Sequence, residues 1–197
     1  MPMLTLRCSS FIKKLQDLNQ NLEVELWAMD EVRFQQHGSR CRMWVPPETR
    51  APVILHHPTH RSVGYFGAVR LSDGKFVFQR EETRFNAQTF LGFLQNLRLD
   101  SGETGRRVMV ITDNARYHHA KMHQKWRAQH AESFALDFLP PYSPELNPIE
   151  RVWRLVRRRC IHNKYFPRLE DVMQTVEDQF FQWVSGSEAL IRLCAIN

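Results

Sequence analysis

Four prolines, Pro140, Pro141, Pro144 and Pro148, crowd the segment Leu139-Pro-Pro-Tyr-Ser-Pro-Glu-Leu-Asn-Pro-Ile-Glu150. Each fixes φ and removes a backbone donor, so neither a helix nor a central strand can run through it. The pattern turns helical directly afterwards. Pro148 suits a first helical turn, with Asn147 before it as the N-cap. Glu150 then falls in that turn, where the positive end of the helix dipole favours a carboxylate. A stiff loop thus delivers one acidic group at a defined place. Along the helix, Ile149, Val152, Trp153, Val156 and Cys160 share one face, expected to pack on a sheet. Glu150, Arg151, Arg154, Arg157 and Arg158 fall on the other, so the carboxylate is expected to be ringed by guanidinium groups. A single Glu150–Arg154 pair would leave three arginines unused.

The 197 residues suffice for one domain with a real core, and 43% apolar against 24% charged residues excludes a disordered chain. A formal charge of +6 points to an anionic partner, and the arginine face to phosphates; DNA is the expected contact for Arg151, Arg154, Arg157 and Arg158. Cys8, Cys41, Cys160 and Cys194 show no metal-ligand spacing and read as reduced, mostly buried thiols. No run approaches membrane-spanning length and no apolar leader opens the chain, so a soluble cytoplasmic protein is expected.

Ser9 and Ser10 precede Phe11, Ile12, Leu15 and Leu18, the spacing of a short amphipathic helix. Val24 to Val32 is strand-like and ends in the acidic pair Asp30-Glu31. A further extended piece is expected around Cys41–Val45. Asp73-Gly74 between two apolar runs, residues 61–70 and 75–80, signals a hairpin. Asn86 can cap a helix carrying Phe90, Leu91, Phe93, Leu94 and Leu97. Arg107–Thr112 reads as a central strand buried on both faces, with Asp113 and Asn114 at its carboxyl end. A helix over 121–129, a strand near 133–139, the proline loop, the basic helix and a last helix over 168–183 complete the order. That order suits an α/β fold, a mixed central sheet flanked by helices, and it is the order of the ribonuclease H-like fold.

Asp30 and Asp113 thus stand at strand ends and Glu150 at a helix start. If the sheet gathers them, two unit charges at ~4 Å repel by about 4 kcal/mol at an effective dielectric of 20. Divalent cations with oxygen ligands, Mg²⁺ or Mn²⁺, would relieve this, and two ions could clamp the attacking and leaving oxygens of a displacement at phosphorus. Glu31, Asp137 and Glu145 compete for these roles, and spacing does not choose among them. His118, His119 and His123 lack a third zinc ligand, although His119 and His123 could share a helix face. His56, His57 and His60 read as surface groups, and Phe90, Phe93, Trp126, Trp153 and Phe180 as core.

Three blocks carry a resemblance: Trp27-Ala-Met-Asp-Glu31; Ile111-Thr-Asp-Asn-Ala-Arg-Tyr-His118; and Leu139 to Glu150 with Val152-Trp153 following. In this order they resemble the DDE-type catalytic domain of bacterial insertion-sequence transposases in the mariner-like superfamily, a DDE superfamily endonuclease. The resemblance implies that Asp30, Asp113 and Glu150 are the catalytic, metal-binding triad, preferred over Asp137 and Glu145. Asn114 and His118 would be supporting residues. It implies two Mg²⁺ ions per site, with Mn²⁺ a substitute, for cleavage at transposon ends and strand transfer into target DNA. A homodimer is expected, because two ends must be held together.

Residues 1–22 read as a helical lead-in and 23–197 as the catalytic domain. The helix-turn-helix module usual in such transposases is not found ahead of the first block. End recognition is therefore expected from an upstream-frame polypeptide. A truncated remnant that binds DNA or full-length transposase is the alternative reading, and a free-standing nuclease a third.

Overall fold

The computed structural model describes residues 2–42, 44–48, 55, 59–101, 105–141 and 143–196. Five strands form one mixed sheet: β1 (Val24–Gln35), β2 (Ser62–Arg70), β3 (Phe76–Glu81), β4 (Arg107–Thr112) and β5 (Phe134–Phe138), in the order β3-β2-β1-β4-β5. β2 lies antiparallel to β1 and β3, whereas β4 runs parallel to β1 and β5. The middle strand is therefore β1, not β4; β4 remains interior, flanked on both sides.

Alternation along β1 sorts the core into two layers. Leu26, Ala28, Val32 and Phe34 join Tyr65, Phe76, Trp153 and Phe180 on one face. Helices α1 (Pro2–Gln20), α4 (Ile149–Val156), α5 (Leu169–Phe181) and α6 (Glu188–Cys194) cover this side. Trp27 and Met29 point the other way, into Phe66, Phe90, Phe93, Leu94 and Leu97, under α2 (Ala87–Ser101) and α3 (Lys121–Gln129).

Local signals place most elements. The Asp73-Gly74 turn joins β2 to β3; Gly74 has φ +69°, and a Cβ there would sit 2.3 Å from the Ser187 carbonyl oxygen. The Asn86 side chain accepts the Gln88 and Thr89 N–H groups at 2.8 and 3.1 Å, capping α2 as expected. Cys160 and Cys194 are buried, whereas Cys41 is exposed.

Four expectations change. α1 begins at Pro2, so Ser9 and Ser10 lie inside it rather than at its start. The piece around Cys41–Val45, of which Met43 lies outside the described residues, is not a strand. Its backbone is satisfied instead by Asn163, whose side chain accepts the Cys41 N–H at 2.9 Å and donates to the Cys41 carbonyl at 3.1 Å. The third antiparallel strand is the far arm of the hairpin. Finally, α6 follows α5 as a separate helix, restarted after Gly186 (φ +104°) with the Ser187 hydroxyl accepting the Leu190 N–H. His56 and His57 lie outside the described residues, and His60 is exposed.

Phe180 is fully buried and meets Phe34, Tyr65, Phe76, Phe78 and Trp153 through ring contacts. Phe180→Ala should cost about 3–5 kcal/mol, read from the midpoint of urea unfolding.

Candidate active site

Asp30 does not end its strand. It is the seventh of the twelve residues of β1. What ends there is the pairing with β4, whose last pair is Ala28–Ile111. Continuing that register by two residues sets Asp30 level with Asp113, the first residue beyond β4. The cleft opens where two parallel strands part, as sites in open α/β sheets do.

Side chains tie the proline loop to this point. The Leu139 N–H donates to the Thr112 carbonyl at 2.9 Å, and the Asn114 amide donates to the Leu139 carbonyl. At the far end of the loop the buried Asn147 amide donates to the Met29 carbonyl at 3.0 Å. Asn147 therefore does not cap α4 with its side chain; it pins the helix entry to β1 beside Asp30. Glu150, half-buried in the first turn, lies near enough to Asp30 for its charge to raise the Asp30 carboxyl.

The electrostatics record the crowding. Burial, then Glu31, Glu150 and Asp113, push the Asp30 carboxyl up to about 8. Glu31, on the opposite face of β1 by alternation, accepts from His118 Nε2 at 3.0 Å, while His118 Nδ1 lies 3.0 Å from Asp113 Oδ1. Burial would lower the His118 pKa, but the bonds to Asp113 and Glu31 outweigh it and raise it to about 9. The same bond to His118, against burial, holds Asp113 below the usual carboxylate range, helped by the Ala115 N–H at 3.0 Å. Burial and Glu31 also push the Tyr117 hydroxyl up.

Glu31, Asp113 and His118 bring donor atoms within 4.8 Å of one another. His118 sets one ring nitrogen 3.0 Å from Glu31 and the other 3.0 Å from Asp113, bracing the two carboxylates. The remaining donors are carboxylate oxygens, the set that suits Mg²⁺ or Mn²⁺. Burial raises the Asp30 carboxyl most and the neighbouring carboxylates raise it further, and this all-oxygen donor set fits such an ion.

The competing carboxylates lie elsewhere. Asp137 pairs with Lys14 at 2.5 Å, and Glu145 is exposed on a 3₁₀ turn, Pro144–Leu146. His123 is buried and bonds the Ala87 carbonyl at 2.8 Å, whereas His119 stacks on Phe138; they share no site.

Arg151, Arg154, Arg157 and Arg158 do line one groove, with Leu155, His162 and Leu193, of about 580 Å³. Glu150 is not part of it, and among the described residues no ion pair joins Glu150 to Arg154. The expected ring of arginines around Glu150 is thus corrected: a helical wheel assigns sides but not neighbours. Arg154 and Arg158 are exposed. Arg151 is engaged with the Leu193 and Ala195 carbonyls at 3.1 and 2.8 Å, and Arg157 lies over the Phe34 ring at 5.7 Å. Two contacts escaped the sequence reading. Trp153, read as core, is buried yet donates its indole N–H to Asp30 Oδ2 at 3.1 Å, and Glu31 joins the site through His118.

A β3-β2-β1-β4-β5 sheet flanked by helices is the ribonuclease H-like fold, which solved structures share with this chain. A pre-cleavage Mos1 transpososome superposes with a TM-score of 0.72 at 15% identity, covering 97% of this chain and 57% of that one. The Mos1 mariner paired end complex with Mn gives 0.71 at 16%, with the same coverage, and the isolated Mos1 catalytic domain 0.61 at 15%, covering 98% and 85%. The chain belongs to the DDE superfamily endonuclease family, whose sequence pattern matches residues 25–173. It is also 33% identical over 73 residues to the uncharacterized protein y4pE/y4sA of Sinorhizobium fredii (strain NBRC 101917 / NGR234), covering 37% of this chain and 50% of that protein. The chain thus spans about half the length of y4pE/y4sA and of the Mos1 chains in the transpososome and the paired end complex. No described helix is long and apolar enough to cross a membrane.

Asp30 and His118 both bind protons more tightly when folded, so both lend stability at low pH. The Asp30 part is full below its unfolded value near 4 and is lost as pH rises through about 8; the His118 part is full below about 6.5 and is lost through about 9. Calorimetry of the metal-free protein should show the unfolding temperature falling from pH 6 to 9, and Asp30→Asn should flatten that slope.

Proposed function

We propose that this chain is the catalytic domain of a transposase that cleaves DNA at transposon ends and joins them to target DNA, with Asp30, Asp113 and Glu150 as its metal-binding residues. One observation carries the reading. Glu150 and Asp113, on elements far apart in sequence from β1, both act electrostatically on Asp30, and the family match spans all three residues.

Bound there, Mg²⁺ or Mn²⁺, as a pair, supplies an activated oxygen nucleophile and stabilises the departing oxyanion. The protein's own part is positional. Asn147 and the proline loop hold Glu150 against β1, and Asn114 fixes the start of the same loop to the end of β4. His118 braces Asp113 against Glu31, so that carboxylate stays ionised. Arg154, Arg158 and, in part, Arg151 and Arg157 present guanidinium groups along a groove on the helix that carries Glu150, where phosphates of transposon-end or target DNA would lie. The Mos1 structures include a paired end complex with Mn and one with Mg. By analogy we assign this chain a homodimer on paired DNA ends, with end recognition supplied by a further polypeptide segment.

Asp30→Asn, Asp113→Asn and Glu150→Gln should each lower Mg²⁺-dependent strand cleavage by more than about 100-fold, the upper range for losing an outer-shell partner. Circular dichroism should show the fold kept. Cleavage at the wild-type rate in any of the three would remove that residue from the set, and an inactive wild-type chain on pre-paired ends would favour a DNA-binding remnant. Replacing Arg154 and Arg158 together with Ala should reduce the slope of log affinity against log salt by about 2, measured on duplex DNA by fluorescence anisotropy.

A further inference from the structure

Trp153 sits on the face of α4 that packs on the sheet, and its ring is 1% exposed. Phe76 meets it edge-on at 5.9 Å and Phe180 at 6.1 Å. Beneath it lies Gly67, which pairs with Asp30 across β1 and β2. A Cβ on Gly67 would stand 2.3 Å from Trp153 Cη2 and 2.9 Å from Cζ2, so any side chain there would lift the ring. In this seat the indole's single donor reaches Asp30 Oδ2 at 3.1 Å.

A buried indole needs some acceptor, and Trp27 shows the ordinary case. Its N–H meets Glu25 at 3.3 Å, and Arg70 neutralises that carboxylate at 3.0 Å. Asp30 differs. Among the described residues it has no Lys, Arg or His ion-pair partner, and it is crowded by Glu31, Glu150 and Asp113. Besides the Glu31 backbone N–H, the neutral donor that reaches its side chain is the Trp153 indole, which rides on α4 one helical turn after Glu150.

We propose that Trp153 is a positioning residue for the divalent cation: its indole N–H fixes the Asp30 carboxylate in the orientation that meets the ion, over a seat that Gly67 leaves open. The inference rests on Asp30 being a metal-binding residue, and goes beyond it by assigning the group that orients Asp30. α4 then contributes twice, once through the Glu150 carboxylate and once through the donor that holds Asp30.

Calorimetric titration of the full chain with Mn²⁺ tests it, using Asp30→Asn, Trp153→Phe and Phe76→Leu. Trp153→Phe keeps an aromatic ring and removes the donor; it should weaken Mn²⁺ binding by about 10- to 100-fold, the range for lost outer-shell partners. Phe76→Leu disturbs the same ring but leaves its N–H, and should lower the unfolding temperature while keeping Mn²⁺ affinity. Equal losses of affinity in both variants would reduce Trp153 to packing and overturn the proposal, as would wild-type affinity in Trp153→Phe. Wild-type affinity in Asp30→Asn would instead overturn the metal reading beneath it. If Trp153→Phe does not fold, nitrogen-15 labelling of the five tryptophans of the wild-type chain decides. The indole signal displaced in Asp30→Asn should also move on adding Mg²⁺; no response of that signal to Mg²⁺ overturns the proposal.

Discussion

The structure depends on one electrostatic tension: a largely buried carboxylate, Asp30, kept beside Glu31, Glu150 and Asp113. Four acidic groups do not gather unaided, since each added charge repels the others more strongly as water is removed. The sheet forces them together. Leu26 to Met29 lock β1 between two apolar layers, so Asp30 has no freedom to retreat toward solvent without unseating its strand. Burial elsewhere thus sustains repulsion here, the usual relation between a stable scaffold and a strained site.

The two faces of β1 handle that tension differently. On one face, Glu31 and Asp113 are bridged by the imidazole of His118, so protein groups balance the charge internally. On the other, the Asp30 carboxyl accepts the Trp153 indole N–H, feels the charge of Glu150 and, among the described residues, has no cationic ion-pair partner. The His118 brace and the proposed cation-binding residues therefore meet at Asp113, which belongs to both.

Much of this was legible beforehand. β4, β5, α3 and the Asp73-Gly74 hairpin follow from local patterns, because apolar period and turn chemistry act over a few residues. Fold and family followed from three short blocks in order. What the chain did not disclose is long-range. Asp30 looked terminal because an acidic pair interrupts an apolar run; only the register with β4 reveals that the pairing stops there while the strand continues. The link between His118 and Glu31 spans 87 residues, and no local pattern encodes it. Trp153 on an apolar stripe is correctly core, yet periodicity says nothing about where one polar atom of a large ring points. Asn147 was given the commonest task for its position, capping, while the structure spends its amide on the neighbouring strand. A helical wheel likewise set Glu150 among arginines that in fact line a separate groove.

α4 is only eight residues long, yet it bears Glu150 and the indole that holds Asp30, and together with the π-helical turn that continues it, Arg157–Ile161, it carries the four arginines along the groove. Its first turn is tied down twice, by Asn147 to β1 and through Arg151 to the Leu193 and Ala195 carbonyls at the end of α6. Such a helix behaves as a single lever between its groove and its acidic end. A polyanion drawing on the arginines would load the same rigid body that sets the spacing of the carboxylates, so occupancy of the groove and the shape of the acidic cleft are mechanically one variable.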